Sequence, residues 1–109
     1  MVTSSAPPSE AVFKAIADTT RRDILNILRQ GSRTVGELAR NFRVSRPAIS
    51  KHVRVLRSAG LIVSGTTAGG RRCELNAQPL QAVDAWLRDY QNFWNASLRD
   101  LKHYVEEQP

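Results

Sequence analysis

Apolar positions recur at helical spacing in four successive stretches, alternate briefly, and return to helical spacing at the end of the chain. A first helix is predicted from Ser9, its N-cap with Glu10 next, to about Ala17, with Val12, Phe13 and Ile16 on one side. Asp18 or Thr19 caps a second, from Thr20 to about Gln30, whose stripe is Ile24, Leu25, Ile27 and Leu28. Gly31 stops it. Thr34-Val35-Gly36-Glu37 has the hydroxyl and the glutamate of a capping box at the required spacing. The helix it opens runs through Leu38, Ala39 and Phe42 to near Arg43. Ser45 caps a fourth helix, which tolerates Pro47 in its first turn and turns Ile49, Val53 and Leu56 inward before Ala59-Gly60 end it. The period then changes. Leu61–Ser64 and Arg72–Leu75 read as two short strands, with Gly65–Arg71 as a flexible tip between them. Pro79 opens a long final helix that reaches Glu106 or Glu107.

Two short helices joined by the turn Arg43-Val44-Ser45 and followed by a strand hairpin spell a helix-turn-helix with a wing. The expected fold is therefore mainly α-helical with one small β-hairpin. Residues 1–8, rich in Ser and Pro, read as a disordered lead-in. Residues 9–107 form the single winged helix-turn-helix domain.

Charge sharpens this picture. The chain has 109 residues and a net charge of +6, with hydrophobic residues at 41% and charged residues at 24%, a globular balance for one domain. Residues 40–72 contain Arg40, Arg43, Arg46, Lys51, Arg54, Arg57, Arg71 and Arg72 and no Asp or Glu. That segment carries +8, while the rest of the chain sets eight cations against ten acids. Solvated faces usually mix signs, so a one-signed segment points to a polyanionic partner whose counterions are released on binding. No apolar run approaches the length of a membrane span, and the first residues are neither basic nor hydrophobic enough for a secretory signal. A cytoplasmic location follows as the expectation.

The fourth helix carries the specific signal. Opposite its stripe of Ile49, Val53 and Leu56 lie Pro47, Ser50, Lys51, Arg54 and Ser58, with Arg46 at the edge. An apolar back and a front of short polar and long cationic groups suit a helix that docks in the major groove, with Thr34–Arg43 crossing the DNA backbone. His52, beside the buried stripe, suits a structural or phosphate-bonding role better than base reading.

Three separated runs now stand in order. They are Phe13-Lys-Ala-Ile-Ala-Asp-Thr-Thr-Arg-Arg-Asp-Ile-Leu-Asn-Ile-Leu, then Thr34-Val-Gly-Glu-Leu-Ala, then Ser45-Arg-Pro-Ala-Ile-Ser-Lys-His-Val-Arg-Val-Leu-Arg-Ser-Ala-Gly-Leu. With Gly70-Arg71-Arg72 and Val83-Asp84-Ala85-Trp86-Leu87 they resemble the ArsR/SmtB family of bacterial and archaeal repressors. The resemblance implies a winged-helix homodimer that binds double-stranded DNA at a palindromic operator and usually represses transcription. It carries groove contacts onto Arg46, Pro47, Ser50 and Lys51 and wing contacts onto Arg71 and Arg72. With Ser45 and Arg54 from the helix itself, the candidate DNA-binding set is Ser45, Arg46, Pro47, Ser50, Lys51, Arg54, Arg71 and Arg72.

The family's metal motifs are broken here. Glu37-Leu38 is followed by Ala39, Arg40 and Asn41 where metal sensors carry Cys-x-Cys. In the last helix, a register starting at Asp84 meets Trp86, Ser97 and Asp100, and one ending at His103 and Glu106 begins with Tyr90 and Asn92. Either supplies two of four ligands, below what zinc needs, so neither a metal effector nor a cofactor is expected.

The last helix repeats Leu80, Val83, Leu87, Tyr90, Trp94, Leu98, Leu101 and Val105 at steps of three and four, and it holds five of the chain's seven aromatic residues. So wide an apolar face needs more cover than one small domain supplies. The expected dimer interface is Phe13, Ile16, Trp86, Tyr90, Phe93, Trp94 and Leu101. Two readings stand beside DNA binding by a homodimer. One is a winged-helix protein–protein adaptor for an acidic partner, and the other is a redox-responsive regulator using Cys73. Strand alternation turns Cys73 inward with Leu75, which favours a slow-reacting thiol. No Ser/His/acid set, phosphate-cradling loop or catalytic carboxylate pair is present in the pattern, so no enzyme is expected.

Overall fold

The computed structural model describes residues 8–67 and 69–107. In chain order it contains α1 (Pro8–Ile16), α2 (Thr19–Leu28), α3 (Val35–Ala39), α4 (Arg46–Ser58), β1 (Ile62–Thr67), β2 (Gly70–Leu75), a 3-10 turn (Gln78–Leu80) and α5 (Gln81–Glu107). This is the expected winged helix-turn-helix, with α3 and α4 as the motif and the β1–β2 hairpin as the wing. Most of the expected lead-in lies outside the described residues. Its last residue, Pro8, opens α1, so Ser9 lies inside the helix and does not cap it.

Each cap does what its residue type dictates. The Asp18 carboxylate accepts the Arg21 backbone N–H at 3.0 Å, and that bond to its charged form holds Asp18 below the ordinary carboxylate range. Thr34 Oγ1 accepts the Glu37 N–H at 3.1 Å while Glu37 Oε1 accepts the Thr34 N–H at 2.8 Å, closing a full capping box. Ser45 Oγ accepts the Ala48 N–H at 3.3 Å. At the far end of α4, Gly60 takes φ +80, a conformation that glycine enters without strain. There the Gly60 N–H bonds the Arg57 carbonyl and the Leu61 N–H bonds the Leu56 carbonyl, both at 2.9 Å, which is a Schellman ending.

Several boundaries depart from the sequence reading. α2 ends at Leu28, because the Gln30 and Gly31 N–H groups reach back only three residues, and Pro79 lies in the 3-10 turn, so the final helix opens at Gln81. α3 stops at Ala39, because the Asn41 and Phe42 N–H groups reach back only three residues, to Leu38 and Ala39, and tighten the chain out of the α-helix. The connection to α4 is therefore Arg40–Ser45, longer than three residues. The strands run further than expected, in antiparallel register from Ile62 opposite Leu75 to Thr67 opposite Gly70, so much of the supposed flexible tip is paired. Arg33 also pairs with Cys73 through two backbone bonds, Arg33 N to Cys73 O at 3.1 Å and Cys73 N to Arg33 O at 2.7 Å. One residue of bridge has no periodicity to announce it.

The core joins Val12 and Ala15 of α1, Ile24, Leu25 and Leu28 of α2, Leu38 of α3, Ile49, Val53 and Leu56 of α4, and Leu61, Ile62 and Cys73 at the wing's base. Each large aliphatic side chain so buried contributes about 1.5–3 kcal/mol, and together they fix how far α4 can roll about its axis. The 3-10 turn meets this core through Leu80, and α5 through Val83 in its first turn. The Phe13 ring of α1 stands edge-on to Trp86, with centroids 5.4 Å apart, and Trp86 contacts Tyr90 at 5.0 Å. Beyond that point the helix has no buried residue, and Phe93 is 72% exposed.

Candidate nucleic-acid interface

Burial of Ile49, Val53 and Leu56 leaves one side of α4 outward, and Ser45, Arg46, Pro47, Ser50, Lys51 and Arg54 share a concave surface there with no acidic side chain. Arg46, Pro47, Lys51 and Arg54 are exposed and Ser50 is half-buried. The Ser45 hydroxyl already serves the helix as its cap acceptor. Arg46 lies over α3 at Gly36, where a Cβ would stand 3.5 Å from its guanidinium carbon. The helix-turn-helix thus brings together the six candidate residues expected on α4.

The wing separates the other two. Arg71 is exposed. Arg72, on the opposite side of β2, donates from Nε to Ser32 Oγ and from Nη2 to the Ser32 carbonyl, both at 2.9 Å. Its Nη2 also lies 3.2 Å from Glu37 Oε1. Glu37 sits below its ordinary carboxylate value, chiefly through the Thr34 N–H, with the Arg72 charge adding to it. Arg72 therefore binds the wing to the cap of α3, a role hidden from the sequence because Ser32 and Glu37 are far from it along the chain.

Two further residues place α4. Arg21 donates from Nε to the Ala15 carbonyl at 2.7 Å and from Nη2 to the Lys14 carbonyl at 3.0 Å. Its Nη1 stands 3.3 Å from His52 Nδ1. The pair ties the end of α1 to the middle of α4, which gives His52 a structural contact. Nothing in the run Thr-Thr-Arg-Arg-Asp marks Arg21 for this task, since its acceptors are backbone carbonyls.

Cys73 faces inward at 3% exposure, and Leu75 is half-buried on the same side of β2. Burial pushes the thiol pKa up, and the nearby Arg57 and Arg71 charges oppose this without overcoming it. Among the described residues, no three His, Cys, Asp or Glu side chains stand together as a metal site, and no helix is long and apolar enough to cross a membrane.

Comparison with known proteins agrees with this geometry. Residues 18–64 match the family model described as "Bacterial regulatory protein, arsR family". The chain is 39% identical over 90 residues to the transcriptional repressor SdpR of Bacillus subtilis, spanning 83% of this chain and 97% of that one. It is 34% identical over 99 residues to the HTH-type transcriptional regulator Rv2034 of Mycobacterium tuberculosis, spanning 91% and 90% respectively. The crystal structure of an ArsR family transcriptional regulator, RHA00566, superposes with a TM-score of 0.71 at 36% identity, over 81% of this chain and 97% of that one. The family model spans α2 to β1, the two curated relatives extend the likeness over most of the chain, and the chain belongs to the ArsR family of bacterial transcriptional regulators.

Proposed function

We propose that the chain is a repressor that binds double-stranded DNA as a homodimer at a palindromic operator. The observation that carries this reading is the outer face of α4. It is concave, cationic and free of acids, and it is held at a fixed roll by three fully buried residues. Lys51 and Arg54 project from its middle, and Arg46 and Pro47 from its first turn. Long cationic groups reach guanine edges and phosphates, and short ones such as Ser50 let the backbone approach. Arg71 on the wing supplies a further cation for the flanking backbone. SdpR, named a repressor, supports the direction of regulation.

The dimer rests on α5. Trp86, Tyr90 and Trp94 are about half exposed, and Phe93, Leu98, Leu101, Tyr104 and Val105 are more so. A second copy is the natural cover, with Phe13 and Ile16 of α1 at its edge. A two-fold pair of this kind sets two α4 helices about 34–36 Å apart, one turn of DNA.

Selection from a random duplex pool, followed by binding at several salt concentrations, tests the reading. A palindromic consensus with steeply salt-dependent affinity is expected. A chain that enriches no sequence and shows no salt-sensitive binding would instead be a protein–protein adaptor.

A further inference from the structure

Between the start of α3, one side of α4 and the wing lies a groove of about 380 Å³, lined by Thr34, Arg46, Arg57, Gly69, Arg71 and Cys73 among others. It shares only Arg46 with the outer face of α4. Three guanidinium groups line it and no carboxylate does. Among the described residues, none of the three makes an ion pair. Of the acids closest in sequence, Glu37 is bonded to Arg72 and the Thr34 N–H, and the Glu74 carboxylate lies over Gly65 of the other strand. Arg57 is half-buried, and its Nε, shut off from solvent, has no hydrogen-bond partner.

Like charges gathered in one groove repel one another unless a counter-charge enters, and most where Arg57 is shielded from solvent. The planar fork of arginine matches a tetrahedral oxyanion with two or more oxygens, and three such forks suit a group that presents acceptor oxygens in several directions, as a phosphate does and a planar carboxylate does not. We propose that this groove is an oxyanion site that takes a phosphate group, borne either by a DNA backbone or by a free phosphorylated molecule. A duplex as the bearer rests on the DNA-binding reading, whereas the site itself does not. On a duplex, the phosphate would lie where the backbone passes between α4 and the wing, and Arg57 would hold it from beneath.

The test uses the full chain, first without DNA. Inorganic phosphate is titrated at constant ionic strength while backbone amide resonances are followed by NMR. A free-phosphate site predicts saturable shifts at Thr34, Gly69 and Arg71 that disappear in Arg57→Gln and in Arg71→Gln. Duplex binding is then measured against salt. A backbone-phosphate site predicts no saturation by inorganic phosphate. It also predicts a slope of log affinity on log salt flatter by about 0.9 in Arg57→Gln, the loss of one phosphate contact. If Arg57→Gln fails to fold, Arg57→Met, which keeps the apolar stem and drops the charge, decides the duplex arm, and Arg71→Gln, at an exposed position, decides the free-phosphate arm. Phosphate saturation in a chain that binds no duplex would keep the site and remove the DNA reading. No saturation together with unchanged salt slopes, or with no duplex binding at all, would overturn the proposal.

Discussion

The Arg72 guanidinium stands 3.2 Å from Glu37 Oε1 and spans the gap between the wing and the cap of α3. Glu37 is also half of the capping box, so one carboxylate finishes a helix and receives a strand from elsewhere in the fold. Arg72 adds two bonds to Ser32. The wing is thereby tied to the helix-turn-helix by side chains as well as by the Arg33–Cys73 bridge. Replacing Arg72 with Ala is expected to cost about 1–2 kcal/mol of stability through the lost bonds to Ser32, with the half-exposed ion pair adding little. Chemical denaturation measures it. Because the wing is loosened for every sequence alike, duplex affinity should fall without a change in base preference.

The two depressed carboxylates set an acid limb of stability. Asp18 and Glu37 both titrate below their ordinary values in the folded chain. Their stabilisation is therefore complete above the unfolded values, 3.8 for Asp18 and 4.5 for Glu37, and is lost as pH falls through the lower folded values. Melting temperature followed from pH 7 downward should decline through this acid range in the wild type. The decline should be shallower in a chain carrying Asp18→Asn and Glu37→Gln. Equal acid limbs in both would remove these two groups from the account.

Cys73 is expected to behave as a core residue. Its thiol is buried and its pKa raised, so the reactive thiolate is scarce at neutral pH. Cys73→Ser should change stability modestly and leave duplex binding intact with or without mild peroxide. Peroxide-induced loss of binding in the wild type, absent from Cys73→Ser, would make the wing a redox sensor.

Assembly should depend on the outer part of α5. Trp86 and Tyr90 pack within their own chain near Phe13, whereas Phe93, Leu98 and Leu101 have no cover in it. A chain ending after Tyr90 therefore keeps the intramolecular ladder and should sediment as a monomer. It should also bind a palindromic site weakly, because one half-site contact remains. A truncated chain that still sediments as a dimer would refute the role given to this helix.

The caps and stripes are legible in the sequence because each is local. Asp18, Thr34, Glu37 and Ser45 act within one helical turn of themselves, and the burial of Ile49, Val53 and Leu56 follows from their spacing. The outer face of α4 is readable for the same reason, as the complement of that stripe. Arg72 is not, since alternation fixes which side of β2 it occupies but not that Ser32 waits there. The task of Arg21 also depends on chain segments that meet only after folding. The end of α3 is misread because Phe42 continues the apolar spacing, while a tightened turn has already broken the helix.

The most direct test of the account is the affinity of Lys51→Ala and Arg46→Ala for the selected duplex, compared with random duplex at the same salt. Lys51 is the cleaner probe, as it lies exposed in mid-helix while Arg46 also rests on Gly36. Each substitution is expected to weaken binding to the selected duplex by about 1–3 kcal/mol, with altered base preference if the contact is to a guanine edge. Folding, followed by thermal melting, should be unchanged for Lys51→Ala. Unchanged affinity and sequence preference in both variants would contradict the assignment of the outer face of α4 to DNA.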